Sequence, residues 1–66
     1  LKRKLIIVFD YGHPDIVSDD PVTHAAIINN YLMDTLVRMQ TQDLPLNIIH
    51  WTTGALLGTV EIATEQ

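Results

Sequence analysis

The residues best equipped for chemistry crowd into one stretch, FDYGHPDIVSDDPVTH at positions 9 to 24, with a second group, HWTT, at positions 50 to 53. The first holds Asp10, Asp15, Asp19 and Asp20 with Tyr11, His13 and His24; the second holds His50, Trp51, Thr52 and Thr53. Neutral imidazoles beside a carboxylate are ligands for a divalent transition metal, and His13, His24, His50 and Asp10 are of suitable type. Their spacing matches no metal motif, such as two histidines four apart on one helix face, so neither metal nor cofactor is expected. The same groups suit general acid–base chemistry, but that needs an enclosed site, and one thin layer of structure encloses little. Nucleophilic catalysis lacks its usual residues: there is no cysteine, and the single serine, Ser18, lies in no strand-turn-helix elbow.

Simpler roles account for most of these side chains. Asp20 before Pro21 is a helix start, because a carboxylate accepts from free first-turn amides and proline loses nothing at the first helical position. Asp15 and Asp19 suit the positive end of that helix, and they repel the phosphate such an end would otherwise attract. Tyr11 and Trp51 have two readings. As rings at neighbouring strand ends they would flank a flat ligand such as a nucleobase, and as amphipathic aromatics they would anchor an interface.

Three kinds of element must position these groups. KLIIVFDY, residues 4 to 11, is β-branched and aromatic and too short for an ordinary helix, so it reads as a first strand. Alternation puts Leu5, Ile7, Phe9 and Tyr11 on one face and Lys4, Ile6, Val8 and Asp10 on the other, both apolar at their centre. A loop of Gly, Pro, Asp and Ser follows, from Gly12 to Ser18. From Asp20 a helix runs to about Gln40, with Ala25, Ile28, Leu32, Leu36 and Met39 as its apolar stripe. Pro45 ends that segment, LNIIHWTT at 46 to 53 reads as a second strand, Gly54 supplies a turn, and LLGTVEIAT reads as a third strand. A second helix from Ala55 is the rival reading of that last segment, weakened by Gly58 and the β-branched residues.

The expected fold is therefore α+β: one domain over residues 1–66, β-α-β-β, with one amphipathic helix on a three-stranded mixed sheet. A crossover joining the first two strands in parallel, with the third returning antiparallel, is the simplest connection. It would gather Tyr11, His13, His24, His50, Trp51 and Thr53 at one sheet edge, the side where ligands bind in open sheets. One helix covers one face only. The apolar second face of so short a chain, without disulfides, calls for a homodimer or higher symmetric assembly. Leaving four large side chains uncovered would forfeit roughly 1.5–3 kcal/mol each.

Charge narrows the function. Eight carboxylates face four basic residues, and Lys2, Arg3 and Lys4 are three of those, leaving Arg38 alone beyond Leu5. One arginine cannot neutralise a phosphate backbone, so direct nucleic-acid binding is not expected. LIIVF after the basic triplet is too short for a signal-peptide core or a membrane span, which points to a cytoplasmic protein; a chain opening on Leu1 suggests that residues precede it. The reading that results is a non-catalytic, acidic regulatory or inhibitory protein that binds a basic partner. A small-ligand receptor or sequestering protein, for a nucleotide-like metabolite held by the six edge residues, is the alternative. A His/Asp metal protein or small enzyme is a third.

Overall fold

The computed structural model describes residues 1–65. Strand β1 (Lys2–Phe9) leads through a loop into helix α1 (Pro21–Arg38), followed by strands β2 (Leu46–Ile49) and β3 (Leu56–Glu65). The β-α-β-β order is as expected, but the sheet is not mixed. β3 lies in the middle, antiparallel to both neighbours, in the order β1-β3-β2. β1 and β2 still run the same way, because each opposes β3. They are two strand spacings apart, about 10 Å, where direct neighbours would be about 5 Å apart. The physical reason lies in the lengths: ten-residue β3 ladders with all eight residues of β1, from Lys2–Glu65 to Phe9–Gly58, while four-residue β2 offers a much shorter ladder.

Both ends of β1 and the end of β2 differ from the sequence reading by two residues or more. β1 begins at Lys2 and ends at Phe9, since its basic start pairs with the acidic end of β3 and Lys4 forms an ion pair with Glu65. β2 stops at Ile49 because the amides of Thr52 and Thr53 turn back onto the His50 ring, at 3.2 and 3.1 Å. Gly54, at φ +76°, completes that turn, a conformation that favours glycine.

The core is Ile16, Tyr31, Leu46, Ile48, Leu57 and Val60, all under 9% exposed. Leu57 and Val60 are three apart, so strict alternation would send them to opposite faces. A register shift between Ile48 and Ile49 opposite Leu56–Gly58 re-phases the strand and lets both be buried. Gly58 is required there: a Cβ would run into the Val8 carbonyl oxygen and lie 3.1 Å from Phe9 Cα.

The helix starts where expected. Asp20 caps it, its carboxylate accepting from the Val22 amide at 3.3 Å and the Thr23 hydroxyl at 2.6 Å. These hydrogen bonds, that from the Thr23 hydroxyl above all, hold the Asp20 carboxyl below the usual carboxylate range. The buried stripe is rotated from the one expected. His24, Tyr31 and Thr35 are its centre, flanked by Ile27, Ile28, Leu32 and Met39, while Ala25 and Leu36 face outward. Aromatic side chains from the strand ends meet the helix on this side, which draws His24 and Tyr31 inward. Thr35 satisfies its buried hydroxyl on the Tyr31 carbonyl, 2.8 Å away. No helix among the described residues is long and apolar enough to cross a membrane.

Candidate functional site

Antiparallel pairing to a central β3 brings the C-terminal ends of β1 and β2 to the side where α1 begins. The loop between Asp10 and Asp20 and the turn from His50 to Ala55 therefore meet there. The loop is held by its own turns, with the amides of Ile16 and Val17 both bonding the His13 carbonyl at 3.1 and 3.0 Å. His13 adds its Nδ1 as acceptor for the Asp15 amide, 3.1 Å away. Ile16, the apolar residue of this polar segment that goes inward, is 3% exposed and plugs the end of the core.

His50 is the clip between the two segments. Its Nδ1 accepts from the backbone amides of Thr52 and Thr53, so that nitrogen carries no proton, and Nε2–H is left to donate to the Asp15 carbonyl at 3.2 Å. The Thr52 hydroxyl lies 3.1 Å from the same Nδ1. Thr53 makes the second link, donating from its hydroxyl to Asp15 Oδ2 at 2.8 Å. Both ring nitrogens of His50 are thus committed to holding chain segments together. A ring so occupied has no lone pair to offer a metal or a substrate proton.

The aromatic residues form two stacks on one face of α1. Trp51 lies on Tyr31, ring centres 4.0 Å apart and planes 23° from parallel, and the Trp51 amide donates to the Tyr31 hydroxyl at 3.3 Å. Phe9 and His50 close around the same tyrosine, their ring centres 6.5 and 5.8 Å from it. Seven residues earlier on the helix, His24 carries Tyr11, at 4.2 Å and 34°. His24 is buried and its Nε2 has no hydrogen-bond partner, whereas Tyr11 is largely exposed.

This arrangement corrects one expectation. The three histidines share no ligand site: His13 and His50 both bond the backbone of Asp15, one shaping the loop and the other clipping the turn, and His24 packs under Tyr11. Among the described residues no group of three His, Asp or Glu side chains is placed to hold a metal ion. Nor do Tyr11 and Trp51 flank a common ligand from neighbouring strands, since β3 separates β1 from β2. Each ring stacks instead on its own helix residue.

What the edge does form is an open cavity of about 290 Å³ between Asp15–Val17, the helix residues Ile27, Asn30 and Tyr31, and His50 with Trp51. Of the six residues singled out in the sequence, His50 and Trp51 line it. Thr53 braces Asp15 beside it, and Tyr11, His13 and His24 lie outside its lining. Tyr31, Asn30, Ile27 and Ile16 escaped the sequence reading; the signal for Tyr31 was a lone aromatic seven residues after His24 on the helix.

The electrostatics of this edge have one sign. Asp10, Asp15, Asp19 and Asp20 are all exposed around it, and no Lys or Arg occurs between Leu5 and Val37. Arg38, at the far end of the helix, donates to the Asn47 carbonyl at 3.0 Å. No protein-family model, curated protein sequence or solved structure matches this chain.

Proposed function

We propose that this chain is a non-catalytic acidic binding protein, regulatory or inhibitory in role, that works in the cytoplasm as a homo-oligomer and engages a basic protein partner through its strand-end edge. One observation carries the reading. Trp51 is fixed by its stack on Tyr31 and by its amide hydrogen bond, yet 59% of its surface remains open. An indole held rigidly and left uncovered is the kind of residue that dominates protein interfaces, because little side-chain entropy is lost when a partner closes over it.

The surroundings favour the same partner class. Exposed Val17 extends the apolar centre, Asp15 lines the cavity beside it, and Asp10, Asp19 and Asp20 are exposed at the two ends of the same loop, a charge that raises the encounter rate with a basic surface and repels nucleic acid. The commitment of both His50 nitrogens argues for binding over catalysis. Exposed aliphatics on the sheet and helix, Val8, Leu56, Met33 and Val37 among them, support the oligomer.

The test is capture on immobilised chain from an extract of the source cells. Wild type is expected to retain a basic protein that salt releases, and Trp51→Ala to lose it while keeping its circular dichroism. Retention that ignores both salt and Trp51→Ala overturns the reading.

The cavity beside Trp51 favours a second reading, a receptor for a small flat metabolite. At about 290 Å³ it stands at the small end of ligand pockets. Native mass spectrometry of freshly purified protein separates the two, since a receptor retains a mass increment per subunit and an interaction module does not.

A further inference from the structure

Helix α1 is apolar on two opposite sides. With His24, Tyr31 and Thr35 pointing into the core, a turn of 100° per residue carries Val22, Ala26, Asn29, Met33 and Leu36 to the outside, and exposed Gln40 follows in the turn just past the helix end. These six recur at intervals of four, three, four, three and four, the spacing of a helix seam that packs against another helix. No charged residue falls among them. Val22 is 77% exposed, Met33 58% and Leu36 51%, and neighbouring Val37 widens the strip.

We propose that a second copy of this chain covers that strip, the two helices pairing antiparallel about a twofold axis that passes between Asn29 and Met33. The inference rests on the homo-oligomer of the proposed function and names its face. Surface area supports a partner of this size. The chain exposes 4754 Å², against about 4,200 Å² for an ordinary folded monomer of 7.4 kDa. Removing that surplus, on the order of 500 Å² from each of two copies, gives about the 1,000 Å² that a specific interface must clear.

Charge and shape select the antiparallel order. A parallel pair would set the exposed Asp19 and Asp20 at the start of one helix against their own copies, which the antiparallel order avoids, while Arg38 stays on the sheet side with the Asn47 carbonyl. The antiparallel order also matches sizes across the seam. Ala26 then faces Leu36 of the second copy, Asn29 faces its Met33, and Val22 faces its Gln40, small opposite large.

The absence of cysteine from the sequence makes the test clean, because an introduced thiol reports alone. Val22→Cys and Gln40→Cys are exposed changes, one in the first turn of the helix and the other just past its end, and the sixteen helical steps from Val22 to Arg38 alone span about 24 Å. Under mild oxidation the two variants mixed are expected to give a covalent dimer of one of each, and neither variant alone to link to itself. Self-linking of Val22→Cys would mean parallel pairing and would overturn the proposed order. In sedimentation, Met33→Glu is expected to weaken self-association at least about tenfold while the helical circular dichroism persists. An unchanged association constant would assign the contact to the free edge of β1 or the open sheet face, and would overturn the proposal. If the unmodified chain sediments as a dimer but the mixed cysteines fail to link, the oligomer stands and this face is wrong. A monomer throughout overturns both.

Discussion

His50 Nε2 lies 3.2 Å from the carbonyl oxygen of Asp15, thirty-five residues earlier in the chain. This contact joins the loop before the helix to the turn between the last two strands, and it converts two polar segments into one edge. His50→Ala is expected to lower stability by roughly 1–2 kcal/mol, as Nδ1 and Nε2 are lost together. His50→Asn should recover part of that, since an amide oxygen can replace Nδ1 as acceptor for Thr52 and Thr53 without reaching Asp15. Urea unfolding of the three chains makes the comparison.

His24 is a different kind of histidine. It is buried with an unpartnered Nε2, so a phenylalanine would keep the ring against Tyr11 and remove the unsatisfied atom. The expected outcome of His24→Phe is unchanged or raised stability, by up to about 1 kcal/mol. A clear loss would mean that the nitrogen makes a bond the native protein needs.

Gly58 tests the bulge. Gly58→Ala is expected to cost about 1–3 kcal/mol by forcing β1 away from β3, since the obstruction is backbone and not a movable side chain. Thermal unfolding measures it, with Gly12→Ala as the control, because a Cβ there meets nothing within 4 Å.

Acid should loosen the helix start. Hydrogen bonds from Thr23 and Val22 hold the Asp20 carboxyl below the value of an unperturbed aspartate. The folded state therefore prefers the carboxylate, and the stabilisation is complete above that value and lost as pH falls through the lowered one. The slope of stability against pH in this acid range should be smaller in Asp20→Asn than in wild type. Equal slopes would remove the cap from the account of acid stability.

Much of this fold was legible in the chain. Asp20-Pro21 fixes the helix start by chemistry local to the cap, and the β-branched runs fix three strands. Sheet order was not legible, because alternation states which face a residue takes and not which strand lies beside it. The buried helix face was ambiguous for a related reason: Ala25 and Leu36 repeat as regularly as Ile27 and Tyr31, so periodicity alone finds two apolar sides. At the edge, His50 and Trp51 could be placed from the strand that they directly follow. Ile16 and Tyr31 could not, since their burial depends on the aromatic residues that meet them from elsewhere in the chain.

Trp51 also reports on its own anchor. Tyr31→Phe removes the hydroxyl that receives the Trp51 amide but keeps the stack, at an expected cost of about 1 kcal/mol. The emission of this single tryptophan should shift as its backbone loosens.

The most direct measurement is capture on the immobilised chain, compared across wild type, Trp51→Ala and the double change Asp10→Asn with Asp19→Asn, at low and high salt. The exposed rigid indole and the acidic loop beside it lead to one expected result: wild type holds a basic protein at low salt, Trp51→Ala loses it at both, and the double variant holds it weakly with a flatter salt dependence. Equal retention by all three chains, or none by wild type, would contradict a binding function at this edge.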